Sequence, residues 1–391
     1  MFRLFFVVLL FPVAVASADP IFRTDNIFPP GSRHAHSSSI VECPDGSLLT
    51  CWFYGSGERK ADDVVVQGAR RLPDSESWRP AFLMADTPGF PDCNPVLFID
   101  RQQRLWMFWI TVLAERWECS QLKYRRADDP NGAAAPAWSW QGIINLKPGD
   151  DFAAVMKQRF RQLGVRNGMW AEYARPYHRL LLEAAGDPAK RQTGWMTRTH
   201  PLTLPTGRIL LPLYSDGFNT SLVAISDDDG ETWQASSPIV GLGPIQPTLA
   251  RRGDGTLVTW CRDSGDVPAR AMIATSSDDG ETWSAAVDSE IRNPGSSLEV
   301  TRLSDGRWLM IANDTETSRD RLTVMLSDDE GRTWNVRRQV EPSDPPGMTF
   351  AYPSVIQTRD GLIHLTYTYT STAGRCIRHT VLNTEWIEAG G

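Results

Sequence analysis

Apolar and polar residues alternate along this chain in short runs, and the runs recur in a fixed order. In HPLTLPTGRILLPLY (200–214), IQPTLARRGDGTLVTWCR (245–262) and SSLEVTRLSDGRWLMIAN (296–313), an alternating strand reaches a T-G or D-G pair. It then returns as a more continuously apolar strand. Such pairs between apolar runs predict β-hairpins. A third strand follows each time, in SLVAISDDDGETW (221–233), ARAMIATSSDDGETW (269–283) and RLTVMLSDDEGRTW (321–334).

The ends of these third strands share the frame S-x-D-x-G-x-T-W, starting at Ser226, Ser276 and Ser327, so the period is 50 and then 51 residues. A regular period of this size marks a repeat architecture. The motif has a local logic: Ser and Asp side chains bond nearby backbone amides, Gly takes the positive-φ position, and Trp packs under the turn. It predicts a hairpin tip rather than a catalytic site. No ligating Glu follows at EF-hand spacing, so no metal is expected there.

The same grammar, weakened, runs through 37–54 with 62–78, through 94–110 with 119–129 and Trp138 to Trp140, and through 352–370 with 375–386. Six units of about four short strands each predict an all-β fold, a six-bladed β-propeller, with Ile21 to Phe28 completing the last blade. One segment, Lys147 to Gly194, breaks the alternation. Phe152, Val155, Met156, Phe160 and Leu163 recur there at helical spacing after Asp150-Asp151. Ala171 to Ala185 reads as a second helix, kinked or restarted at Pro176. A helical insertion between blades two and three is therefore expected at the rim, where it would narrow the mouth and favour action on chain ends.

Composition sharpens this picture in three ways. Met1 to Ala18 combines Arg3, an apolar run from Leu4 to Val15 and Ala16-Ser17-Ala18, a signal peptide with cleavage expected after Ala18. The mature chain, 19–391, is then a single exported propeller domain, secreted or periplasmic, with no membrane span and expected as a monomer. The net charge of −7 gives no reason to bind nucleic acid. Six cysteines in an oxidising compartment make Cys43–Cys51 and Cys93–Cys119 the disulfides to test first, with buried free thiols the alternative.

In a propeller, the first residues of each inner strand and the loops leaving each second strand meet at one mouth of the central channel. The inner strands supply His36, Asn94, His200, Gln246, Ser297 and Tyr352. The loops supply Glu58, Arg59, Asp62, Asp63, Glu118, Tyr214, Arg262 and Arg321. Arginines converging on one mouth suit a carboxylate, which the guanidinium fork binds bidentately. The chemistry requires no cofactor.

The repeated tips resemble the Asp-boxes of bacterial sialidases (neuraminidases) and the wider BNR-repeat superfamily, across nearly the whole chain except the insertion. That resemblance implies three arginines gripping a substrate carboxylate, an Asp acid/base, and a Tyr nucleophile paired with a Glu. On it, Arg262 matches the second arginine, Arg321 the third, Tyr352 the nucleophile and Asp63 the acid/base, with Asp62 the register alternative and Arg59 an auxiliary arginine. Two positions depart: His36 stands where the first arginine belongs, although Arg33 is within reach, and Gln246 stands where the Glu belongs. An amide does not take a phenol proton as a carboxylate does. Glu299, Glu58 and Glu118 are the candidate replacements.

Three readings follow. The first is an exported sialidase-like exo-glycoside hydrolase acting on an acidic sugar with retention, using Asp63, Tyr352 and Gln246, with Arg262, Arg321, Arg59, His36, Asn94, His200 and Tyr214 as substrate contacts. The second is a lyase acting on uronate polymers through His36 or His200, Tyr214 and Arg262. The third is a glycan-binding propeller without catalysis.

Overall fold

The computed structural model describes residues 19–164, 171–174, 177–265, 267–341 and 347–390. The expected leader Met1 to Ala18 and the expected kink at Pro176 lie outside the described residues. Six antiparallel sheets are arranged as the blades of a propeller.

Blade 1 runs, inner to outer, through His34–Glu42, Leu48–Gly55, Val65–Arg71 and Phe82–Ala85. Blade 2 comprises Asp92–Ile99, Leu105–Thr111, Gln121–Ala127 and Trp140–Ile143. Blade 3 has a split inner strand, Met196–Thr197 and Leu202–Thr203, both paired to Ile209–Ser215, followed by Thr220–Ser226 and Gln234–Ala235. Blade 4 is Pro244–Arg251, Leu257–Asp263, Arg270–Ser276 and Val287–Arg292. Blade 5 is Glu299–Arg302, Trp308–Ala312, Leu322–Ser327 and Val336–Glu341. Blade 6 takes Thr349–Gln357, Ile363–Ser371 and Gly374–Leu382 from the end of the chain and Phe22–Asn26 from its beginning. The register runs from Phe22 against Leu382 to Asn26 against Arg378, so the last sheet closes with strands from both ends of the sequence.

The repeated motif explains how the blades pack. Asp228 accepts from Ser226 Oγ (2.9 Å), the Thr232 amide (2.8 Å) and Thr232 Oγ1 (2.6 Å), and Asp278 and Asp329 repeat the pattern. Gly230, at φ 87°, lies so close to the preceding blade that a Cβ would sit 2.6 Å from the Trp106 ring. Gly331 does the same against Trp260, again at 2.6 Å. Glycine is needed there both for its backbone and for the contact. The tips are inter-blade spacers, with Trp260, Trp308 and Trp334 in one shared core cluster.

Between blades 2 and 3 come α1 (Asp151–Leu163), α2 (Tyr177–Gly186) and the short α3 (Pro188–Arg191). Phe152, Met156 and Phe160 form the buried stripe of α1, which stops at Gly164 in the left-handed conformation. Residues 171–174 form a turn rather than the first turn of the expected second helix, and α2 begins at Tyr177. No described helix is long and apolar enough to cross a membrane.

The six cysteines are all free, which corrects the expected Cys43–Cys51 and Cys93–Cys119 bonds. Strand register sets their partners instead. Cys51 lies opposite Ser39 and Gly68, Cys93 opposite Ile110, and the Cys43 thiol accepts from Arg70. Burial raises the thiol pKa of Cys43, Cys51 and Cys93, so they serve as small apolar fillers.

Candidate active site

Four inner strands carry the same irregularity near the channel mouth. Ser37-Ser38, Asn94-Pro95, Gln246-Pro247 and Tyr352-Pro353 are each the two residues that face a single partner residue in the ladder. The first residue of each pair has positive φ: Ser37 60°, Asn94 50°, Gln246 53° and Tyr352 54°. A non-glycine residue in this region costs about 1–3 kcal/mol and persists only where its surroundings enforce it. Bulges of this kind re-aim side chains that a regular strand would send to one face or the other.

Three of these residues and the ends of two second strands form one network. The Tyr352 hydroxyl accepts from Arg262 Nη1 and from Gln246 Nε2, both at 3.0 Å. Gln246 Nε2 also reaches the Tyr214 hydroxyl at 3.3 Å, to which Asn94 Nδ2 donates at 3.0 Å. Arg198 stacks its guanidinium 4.9 Å from the centre of the Tyr352 ring and Arg319 lies at 5.7 Å. Arg198 is buried and donates to the carbonyls of Ser38 and Pro353, and Arg319 donates to the Gly295 carbonyl. The His36 ring centre is 4.1 Å from that of Tyr352, and His36 Nδ1 is 2.8 Å from Thr368 Oγ1.

Burial first, then the charges of His34, Arg319, Arg198 and Arg375, hold His36 well below the usual imidazole range, so it is neutral. Burial, with Asp216 and Tyr352 adding to it, pushes the Tyr214 phenol well up and keeps it protonated. The result is a phenol whose oxygen meets two N–H donors and whose ring has two further guanidinium groups within 6 Å, an arrangement that attracts an anion to the mouth.

The residues expected at this mouth divide into two groups. Tyr352, Gln246, Arg262, Asn94, Tyr214 and His36 are brought together. Asp63 is exposed and anchored elsewhere: its carboxylate accepts from the Ser56 amide and hydroxyl (3.0 and 2.7 Å) and from Arg33 (2.5 Å). Those hydrogen bonds lower its pKa, and they also tie Arg33 outside the cluster. Asp62 is exposed beside it. Arg59 packs over the Trp117 ring at 5.4 Å. Arg321 pairs with Asp320 at the rim, and it is Arg319, two residues earlier, that reaches the Tyr352 ring.

His200 belongs to the opposite end of the channel. Its Nδ1 meets Glu299 at 2.9 Å and its Nε2 the Ile40 carbonyl at 2.9 Å, beside a cavity of about 510 Å³ that also touches Thr248, Arg251 and Val355. The three candidate replacements for the missing Glu are engaged as well: Glu299 with His200, Glu58 with His34 at 3.0 Å, and buried Glu118 with Arg116.

Sequence reasoning missed Arg198 and Arg319. The dipeptide His200-Pro201 imitates Asn94-Pro95, Gln246-Pro247 and Tyr352-Pro353, which drew the inner strand of blade 3 two residues out of register. Thr197 Oγ1 donates to the Asn94 carbonyl at 2.8 Å, so the residue level with the bulges is Arg198.

Fold and site together define a propeller of the sialidase class, with a guanidinium-lined mouth around a tyrosine. The model of the BNR repeat-like domain matches residues 46–170 and 190–365, and the chain belongs to that family. Among curated proteins it resembles a sialidase of Micromonospora viridifaciens, 27% identical over 171 residues. That match covers 41% of this chain and only 25% of the relative, about a quarter of its length. Among solved structures it is similar to a leech intramolecular trans-sialidase complexed with 2,7-anhydro-Neu5Ac (TM-score 0.67, 13% identity, 94% of this chain and 71% of that one). It is also similar to the intramolecular trans-sialidase of Ruminococcus gnavus (TM-score 0.65, 14% identity, 93% and 98%). At these identities the structural likeness speaks for the fold.

Proposed function

We propose that this protein is an exported exo-glycoside hydrolase that binds the carboxylate of an acidic sugar with Arg262 and Arg319 and cleaves its glycosidic bond with retention. The observation that carries the reading is the contact of Arg262 and Gln246 with the Tyr352 oxygen, beneath a second and third guanidinium. Tyr352 meets the anomeric carbon as positive charge develops there. A neutral phenol suits an anionic substrate better than a carboxylate nucleophile, which would repel it. With Gln246 unable to take the phenol proton, this reading assigns that step to the neutral imidazole of His36, whose ring centre lies 4.1 Å from that of the phenol.

A second reading, β-elimination on a uronate polymer, draws on that same neutral His36. It would remove the C5 proton while the arginines neutralise the carboxylate. One experiment separates the two. Purified protein is offered sialosides, rhamnosides and uronate polymers while reducing sugar and absorbance are followed. Elimination creates an unsaturated uronate absorbing near ~235 nm, whereas hydrolysis does not. Release of reducing sugar from an acidic glycoside without that band supports the hydrolase. A rise at that wavelength overturns it in favour of the lyase, and binding of acidic sugars with no turnover overturns both.

A further inference from the structure

The hydrolase reading needs a proton donor for the leaving oxygen, and the loop after the second strand of blade 3 holds an acid that the resemblance does not point to. Asp216 directly follows Ile209–Ser215 and stands two residues from Tyr214, whose hydroxyl belongs to the Tyr352 network. Asp216 is the first residue of the turn that ends this strand, close enough for its charge to act on the Tyr214 phenol. The loop is clamped by the helical insertion, since the Glu172 amide donates to the Asp216 carbonyl and the Tyr173 amide to the Gly217 carbonyl, both at 3.0 Å. Gly217 leaves no slack: a Cβ there would lie 2.5 Å from the Tyr173 ring and 3.0 Å from Glu118 Cβ.

The Asp216 carboxylate makes no hydrogen bond or ion pair among the described residues, in contrast to Asp63 with its three donors. The charges facing it come from four elements: Arg262 from blade 4, Arg59 from the blade 1 loop, Glu172 from the insertion and Glu118 from the blade 2 loop. Burial dominates, pulled back by Arg262 and reinforced by Glu172, and raises the acid to about 6. A general acid works best with a pKa near the working pH.

We propose that Asp216, rather than Asp63, protonates the glycosidic oxygen, and that the insertion exists in part to hold it there. The proposal rests on the hydrolase reading. The Asp216 proton passes to the bridging oxygen as the bond from that oxygen to the anomeric carbon breaks, and the bonding pair stays on the oxygen. The Tyr352 oxygen faces the resulting cationic carbon. Water then adds to that carbon and gives its proton to the Asp216 carboxylate, restoring the acid.

The test uses the full chain and an acidic sugar turned over in the screen above, attached in one substrate to 4-nitrophenol and in another to methanol. A good leaving group needs no proton, so Asp216→Asn is expected to lower kcat/KM for the methyl glycoside by about 100-fold or more while changing kcat/KM for the nitrophenyl glycoside by less than about fivefold, since that parameter reports the steps up to departure of the leaving group and not the later addition of water. The decline of rate with pH above about 6 should disappear on the nitrophenyl substrate. Asp216→Glu should recover part of the methyl glycoside rate, and binding of the free sugar should survive in both variants, which reports folding. Asp63→Asn should leave the ratio of the two substrates unchanged. Equal loss on both substrates in Asp216→Asn, no loss on either, or leaving-group dependence in Asp63→Asn overturns the assignment of Asp216 while the hydrolase reading stands. If the wild-type protein cleaves neither substrate class in the screen, the hydrolase reading falls and takes this assignment with it.

Discussion

Arg262 and Tyr352 lie 90 residues apart in the chain, yet a guanidinium nitrogen of the first donates to the phenol oxygen of the second at 3.0 Å. Arg262 comes from the end of a regular second strand, and Tyr352 from a strained inner-strand bulge two blades on. The bond exists because the bulge turns the phenol towards the axis, where Gln246 fixes it from another side. Arg262 retains a buried Nε with no hydrogen-bond partner among the described residues.

The arginines at the mouth should not be equivalent. Charge-assisted hydrogen bonds contribute about 1.5–3 kcal/mol each, so Arg262→Ala or Arg319→Ala should weaken binding of an acidic monosaccharide by roughly 10- to 100-fold. Arg321→Ala, at the rim with Asp320, should change it by less than about threefold. Titration calorimetry on the three variants checks the order, and equal losses would remove Arg319 from the site.

Tyr352→Phe removes only the hydroxyl, leaving the ring between Arg198 and His36. Turnover should fall by about 1000-fold or more while sugar affinity stays within about threefold, because the lost oxygen acts on the transition state more than on the bound sugar. His36→Gln should lower kcat with little change in KM, and both parameters are read from steady-state kinetics.

The His200–Glu299 pair at the far end of the channel gives a pH signature in stability. Burial alone would lower His200, but the charge and hydrogen bond of Glu299 outweigh it and raise the imidazole above 6.5. Burial alone would raise Glu299, and His200 with Arg198 outweighs it and lowers the carboxyl below 4.5. The histidine contribution is present below 6.5 and lost as pH rises through the raised value. The glutamate contribution is present above 4.5 and lost as pH falls through the lowered one. Glu299→Gln should therefore destabilise the fold more at pH 6 than at pH 9, by on the order of 3–5 kcal/mol at the lower pH, since it strands buried charge, and the drop in Tm should be larger there. Thermal melts at the two pH values decide.

The tips should be structural. Asp278 gathers Ser276 and Thr282, and these bonds lower its carboxyl against the opposing effect of burial, so their contribution is present above 3.8 and lost as pH falls. Asp278→Ala should cost about 1–3 kcal/mol in urea unfolding at neutral pH and leave sugar binding unaltered. A loss of binding without a loss of stability would give the tips another role.

Three positions take partners that only the tertiary structure supplies. Cys43 and Cys51 flank a hairpin, and yet the register sends their thiols to different neighbours, because pairing within a sheet is fixed to the residue. His200 carries the same Pro neighbour as the true bulge residues, but the inner strand of blade 3 is split and Arg198 takes the place level with them. Asp63 sits in the expected loop, and a serine and an arginine from nearby turns occupy its carboxylate.

The chain's own pattern determined the strands, the hairpins, the six repeats, the helical interruption and the closing of the last blade by residues near Phe22. Those features depend on neighbours within one hairpin or on a period repeated along the chain, and local alternation and turn chemistry express them. Which arginines surround the phenol, which acid stays unpaired and which histidine faces which end of the channel were decided only in three dimensions. A single bulge or a one-residue shift of register moves a side chain from the axis to the rim, and the groups that meet at the axis come from different blades.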